Sequence, residues 1–181
     1  MTLMLDAVSF QDAIWDPVDF PSLTYLSLFE VKGLKPYINA PSLVTYHEGR
    51  CTAIESFSSP LSSLVEYGMY WPDSGDSDPG RLYRSFPNIS RISIRANASV
   101  LISLLDTLSG HFGSLPLLKT ISAGRGTARD VTFTVGEQKT MESTVGIRSR
   151  ACHMDVVLLF EKRPSFQIPL FFGEVSRHPT K

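Results

Sequence analysis

Apolar residues along this chain recur in short triplets with one frame: a first position, a second three residues on, and a third two beyond that. "FPSLTYLSL" places Leu23, Leu26 and Leu28 in the frame, "APSLVTYHE" places Leu43, Tyr46 and Glu48, and "SSLVEYGM" places Leu64, Tyr67 and Met69. "FPNISRISIRAN" continues it with Ile89, Ile92 and Ile94, and "LPLLKTISA" with Leu118, Ile121 and Ala123. A strand alternates its side chains, so the second and third positions point into a core while the residues around them point out. The first position precedes the strand and seals a turn, and four of the five segments carry a proline just ahead of it: Pro21, Pro41, Pro87 and Pro116.

The first positions lie 20, 21, 25 and 29 residues apart, within the range of leucine-rich repeats. Leu3 and Leu5 fit the second and third places of an earlier unit. The pattern predicts an α/β fold: a leucine-rich-repeat-like solenoid, incomplete at its N-terminus, with a parallel sheet on the concave face and turns and helices on the convex face. One domain is expected over residues 1–181, with irregular units starting near 20, 40, 60, 86 and 115 and a C-terminal cap over 151–175. In such repeats an Asn or Cys three residues after the third position satisfies buried backbone groups where the chain leaves the strand. Asn97 and Cys51 fit that place, whereas Val31, Pro72 and Gly126 do not.

The returns between strands differ in length. "KGLKPYINAP" carries Gly33, Pro36 and Pro41 and predicts turns or one tight helical turn. "SVLISLLDTLSG" sets Val100, Leu101, Leu104, Leu105 and Leu108 on one helical face, with Ser99 as N-cap and Gly110 as stop. A second helix is predicted over 136–148, where Thr134 and Glu137 have capping-box spacing and Met141 and Val145 lie one turn apart. "WPDSGDSDPGRLYRS" reads as a loop, Val156 to Phe160 as a buried strand, and the tail broken by Pro164 and Pro169 as a folded-back cap.

With the frame in place, outward positions line up as columns. They run Tyr25, Ser27, Phe29; Thr45, His47, Gly49; Glu66, Gly68, Tyr70; Arg91, Ser93, Arg95; and Thr120, Ser122, Gly124. Aromatic and arginine side chains combine large contact area with directed hydrogen bonds, which suits a protein partner. The candidate partner-binding residues are therefore Tyr25, Phe29, His47, Glu66, Tyr70, Arg91, Ser93 and Arg95. Arg91 and Arg95 bracket Ser93 and suit a carboxylate or phosphate.

Composition narrows the alternatives. With 43% hydrophobic residues, the 181-residue chain can supply a continuous core. A net charge of −1 gives no electrostatic reason to expect nucleic acid or an acidic membrane surface as partner. The apolar runs fall far short of a bilayer span, and "MTLMLDAVSFQDA" lacks the pattern of a signal or transit peptide, so a cytoplasmic or nuclear protein is expected. Cys51 and Cys152 have no metal-ligand spacing and read as reduced thiols, and the sequons at Asn88 and Asn97 read as accidental matches. His47, His111, His153 and His178 are scattered. "GRGTAR" fails the dinucleotide and P-loop patterns, and the acidic 71–85 loop lacks the distal glutamate of a calcium loop. No catalytic residue, cofactor or metal is expected; an enzyme of unknown reaction is the less favoured class, and it would require a deep pocket with convergent titratable groups.

The phrasing of "FPSLTYLSL", "APSLVTYHEG", "SPLSSLVEYG", "FPNISRISIRAN" and "LPLLKTISAG" resembles the leucine-rich-repeat regions of F-box proteins from mushroom-forming fungi, over about residues 20–175. The resemblance implies the target-binding part of a ubiquitin ligase receptor, in which an F-box docks to a Skp-type adaptor and the repeats hold a protein target. Residues 1–19 carry no F-box, so adaptor binding is expected only if one is encoded upstream. A carboxy-terminal fragment, a truncated gene model or a paralogue that lost its F-box is the expectation, with a free-standing repeat scaffold as the alternative.

Overall fold

A computed structural model describes residues 1–6, 8, 16–31, 33–50, 57, 60–70, 85–125 and 133–161. The strands in chain order are β1 (Thr2–Asp6), β2 (Val18–Asp19), β3 (Tyr25–Phe29), β4 (Ile38–Asn39), β5 (Thr45–Gly49), β6 (Glu66–Tyr70), β7 (Arg91–Ala96), β8 (Thr120–Arg125) and β9 (Val157–Phe160). The helices are α1 (Ala98–Ser109) and α2 (Val135–Ala151). Seven strands form one parallel sheet in the order β1-β3-β5-β6-β7-β8-β9, while β2 and β4 make a separate parallel pair. Apart from β2 and β4, each strand thus lies beside the one that precedes it in the chain.

The register of that sheet follows the apolar frame residue for residue. Leu3, Leu26, Tyr46, Tyr67, Ile92, Ile121 and Leu158 pair in one row, and Leu5, Leu28, Glu48, Met69, Ile94, Ala123 and Phe160 in another. Parallel strands lacking a hairpin must be aligned by something local, and the turn ahead of each strand does this. The amides of Leu23, Leu43, Leu64, Ile89 and Leu118 donate to the carbonyls of Phe20, Ala40, Leu61, Phe86 and Leu115, closing five turns of equal span. Proline occupies the second position of four of them, where its fixed φ suits the turn. The buried residue closing each turn then enters the core: Leu23, Leu43, Leu64 and Ile89 are fully buried and Leu118 nearly so.

Successive turns are also bonded to each other. The carbonyl of Thr24 accepts from Val44 and Thr45, that of Val44 from Val65 and Glu66, that of Val65 from Ser90 and Arg91, and that of Ser90 from Lys119 and Thr120. Side chains continue the ladder, Ser63 Oγ donating to Pro41 O at 2.6 Å and Asn88 Nδ2 to Ser62 O at 2.6 Å. The strand exits share a device too. Glu30 and Arg50, each one residue past its strand, take left-handed φ of 53° and 48°, and Arg50 Nη1 donates to Glu30 Oε1 at 2.8 Å.

Glu48 stands where the frame calls for an apolar third position. Its carboxylate accepts from Lys35 Nζ and Tyr67 Oη, and from Tyr46 Oη at 2.7 Å. Lys35 comes from a 3₁₀ turn, Lys35–Tyr37, and is 1% exposed. Burial pushes the Glu48 carboxyl up, but Lys35 and the two phenols outweigh it, and the group lies below its ordinary value. The departure from the pattern is therefore matched by a lysine on the return segment, which ties that segment to the sheet.

Helix α1 buries Leu101, Leu104, Leu105 and Leu108, as its periodicity predicts, and packs against β7 and α2. Two expectations at its start are corrected. The N-cap is Asn97 rather than Ser99, with Asn97 Oδ1 accepting from Val100 N at 2.9 Å, so Asn97 is an exposed helix cap and not a residue filling a buried turn. The capping box before α2 is present, Glu137 N donating to Thr134 Oγ1 at 3.3 Å and Thr134 N to Glu137 Oε2 at 2.7 Å. That helix runs to Ala151, three residues beyond the predicted end. Strand β9 is only half buried, with Val157 53% and Leu159 49% exposed on its outward side. Cys51, the 71–84 part of the acidic loop, most of "GRGTAR" and the tail with Pro164 and Pro169 lie outside the described residues.

Candidate functional site: the outward face of the sheet

The outward columns fall in register across neighbouring strands. One row runs Tyr25, Thr45, Glu66, Arg91, Thr120 and Val157; the next runs Ser27, His47, Gly68, Ser93, Ser122 and Leu159; the third runs Phe29, Gly49, Tyr70, Arg95 and Gly124. Every candidate residue from the sequence therefore lies on this face, and the pairing carries them onto adjacent strands.

A large side chain in three places faces a glycine on the next strand. A Cβ at Gly49 would lie 2.5 Å from the Phe29 ring, one at Gly68 would lie 2.6 Å from His47 Cδ2, and one at Gly124 would lie 3.1 Å from Arg95 Cγ. Phe29, His47 and Arg95 thus lie over the backbone of the following strand instead of standing upright. The outward face is consequently closely packed around these residues.

His47 is the centre of that packing, and its exposure is the main correction to the sequence reading: it is 5% exposed and cannot serve as a solvent-facing anchor. Tyr25 and Tyr70 meet its ring edge-on, at centroid distances of 5.3 and 5.5 Å. Both phenols approach Nδ1, Tyr25 Oη at 3.0 Å and Tyr70 Oη at 3.4 Å. Burial pushes the Tyr25 phenol up, against a hydrogen bond with Ser27, and pushes Tyr70 up to about 12. Both phenols are therefore neutral at ordinary pH and can each donate to Nδ1. Nε2 faces Glu66 Oε1 at 3.7 Å.

Glu66 is shared. The His47 ring holds its carboxyl below the ordinary range, burial works against this, and Arg91 adds to it. Arg91 Nη2 stands 3.7 Å from Glu66 Oε2, with the arginine side chain 58% exposed. Arg95 is placed differently: Nε and Nη2 donate to Glu161 Oε2 at 3.0 and 2.7 Å, and its guanidinium lies 5.4 Å from the centre of the Tyr70 ring. The two arginines that bracket Ser93 in sequence are thus unequal, because Glu161 arrives from beyond β9 and engages one of them. Nothing local to "RISIRA" signals that partner, 66 residues away.

The opposite, helical side carries an open groove of about 570 Å³ lined by Asp106, Lys139, Thr140, Ser143, Thr144 and Ile147. Among the described residues, no group of three or more His, Cys, Asp or Glu side chains could hold a metal ion, and no helix is long and apolar enough to cross a membrane. Cys152 is a half-buried free thiol. No protein-family model, curated protein or solved structure matches the chain.

Proposed function

We propose that this chain is a leucine-rich-repeat-like solenoid acting as a non-catalytic protein-recognition module, the target-binding part of an F-box-type ubiquitin ligase receptor. The observation that carries the reading is the residue-for-residue parallel pairing of consecutive strands, which sets aromatic, hydroxyl and charged side chains in rows on one face. Five turns of equal span and a unit spacing of 20 to 29 residues support the repeat assignment. The close packing of Phe29, His47 and Arg95 over the strands beside them favours a macromolecular surface over a small substrate, which needs concave enclosure. The receptor role rests on the phrasing of the segments, and a Skp-type adaptor joins only through an F-box elsewhere in the full gene product.

Affinity purification of the full gene product followed by mass spectrometry tests this reading. The target is expected to be retained by a variant on the helical side, I147E, and lost from the outward-face variant Y25S when both melt like the parent. Equal loss from both, or retention by both, would refute the assignment of the face, and failure of a Skp-type adaptor to co-purify would refute the receptor role alone.

A further inference from the structure

The outward face carries cations whose situations differ. Arg95 is engaged by Glu161 through two hydrogen bonds, and Arg50 donates to Glu30. Arg91 has a 3.7 Å ion pair with Glu66, beyond the 2.7 to 2.9 Å of a charge-assisted hydrogen bond. Its guanidinium presents a planar fork of donors, and more than half of the side chain is exposed. The same Glu66 carboxylate also faces the His47 ring on the neighbouring strand, with Oε1 3.7 Å from Nε2.

We propose that Arg91 is the anchor for a carboxylate of an extended acidic segment of a protein partner; this deepens the recognition reading and rests on it. The groups around Arg91 fit such a ligand. Thr120 lies beside it in the same row, and Ser93 and Ser122 lie side by side in the next, so hydroxyl donors flank the fork. A carboxylate at Arg91 would take the geometry that Glu66 leaves unfilled. A basic segment would instead meet the guanidinium head-on.

The register also sets the spacing of the segment. Tyr25 and Arg91 occupy one row, separated by β5 and β6, so three inter-strand steps lie between them. At ~4.8 Å per step that is about 14 Å. An extended chain covers this in about four residues. The segment therefore carries an aromatic or proline residue for the half-exposed Tyr25, and an acidic residue about four positions away for Arg91. Tyr25 is fixed for this contact by its bond to His47 and loses little freedom on binding.

Selection of a displayed random peptide library on the immobilised full chain tests the inference, with selected peptides remade and titrated by fluorescence anisotropy. Enriched peptides are expected to carry Asp or Glu about four residues from an aromatic residue or proline. Replacing that acid by its amide, or making R91E, should weaken binding about tenfold or more. R91K should retain part of the affinity, a peptide with Arg at the acidic position should prefer R91E, and binding should fall as salt rises. Each variant is melted alongside the parent to show that it is folded. Binders that are lost in Y25S but lack an acid and ignore R91E would overturn this inference and leave the recognition reading standing. Binders indifferent to every outward-face substitution, or no binder with Kd below about 1 mM, would overturn both. Binding of anionic lipid vesicles or single-stranded DNA through Arg91, in place of peptides, would overturn the choice of partner.

Discussion

Replacing Lys35 by Met removes the only cation that faces Glu48 among the described residues and keeps the volume of the buried stem. Lys35 is 1% exposed, and the Glu48 side chain is 13% exposed, so water cannot take over the lost interaction. Breaking a buried ion pair from one side costs about 3–5 kcal/mol. The phenols of Tyr46 and Tyr67 still donate to the carboxylate, which places the expected loss near the lower end, about 3 kcal/mol at pH 7. For a chain of this length each kcal/mol moves the midpoint by about 2–4 °C, so Tm should fall by about 6–12 °C. The pH dependence carries a sign that separates this cause from simple loss of packing. In the parent, Glu48 lies below its ordinary value, so its contribution is present above the unfolded value and is lost as pH falls through the folded one. In K35M burial dominates and lifts Glu48 above that value, so the carboxylate is a cost at neutral pH that protonation relieves on acidification. The deficit between parent and K35M should therefore shrink between pH 7 and pH 5, and K35M/E48Q should regain more than half of it. Urea denaturation followed by circular dichroism measures both. A deficit below about 1 kcal/mol at pH 7, or one unchanged at pH 5, would refute the reasoning.

Four further outcomes follow from the same geometry. G68A should destabilise by about 1–3 kcal/mol in chemical denaturation, because its Cβ would lie 2.6 Å from His47 Cδ2 and the ring must leave its place between the tyrosines. N97A should cost about 1 kcal/mol by loss of the α1 cap while S99A costs less, a ranking read from thermal melts of the two variants. A double-mutant cycle on R95A and E161A should give a coupling energy of about 1 kcal/mol or more, since two hydrogen bonds join these largely buried groups. Tyr70 stays protonated to about 12, so the unfolded chain ionises first as pH rises above 10, and the stability from its neutral form is lost between those values. Y70F should flatten the stability profile across that alkaline window.

The frame of apolar positions made the strands and their register legible, including β1, because alternation is a local property and each turn sets the phase of the strand after it. Leu3 and Leu5 pair with Leu26 and Leu28 as the frame requires. The α1 face was legible for the same reason, whereas its cap was misplaced: Asn97 and Ser99 both have capping chemistry, and the backbone conformation decides between them, with Asn97 extended at φ −68° and ψ 161°. The short pair of β2 and β4 left no mark in the sequence, since two-residue strands are too brief for alternation to register.

What the sequence alone determined, then, is which side chains share the outward face and in what rows, because the period of two and the proline-led turns depend only on neighbours along the chain. Tertiary structure decided what those side chains are free to do. Glycines on the next strand let Phe29, His47 and Arg95 lie over the sheet, and Tyr25 and Tyr70 enclose His47 from strands on either side. Glu161 comes from 66 residues away to engage Arg95, and Lys35 makes an acidic residue tenable where the frame calls for an apolar one. Each of these depends on distances between strands and returns that only the folded stack brings together, and they leave Arg91 with its fork exposed.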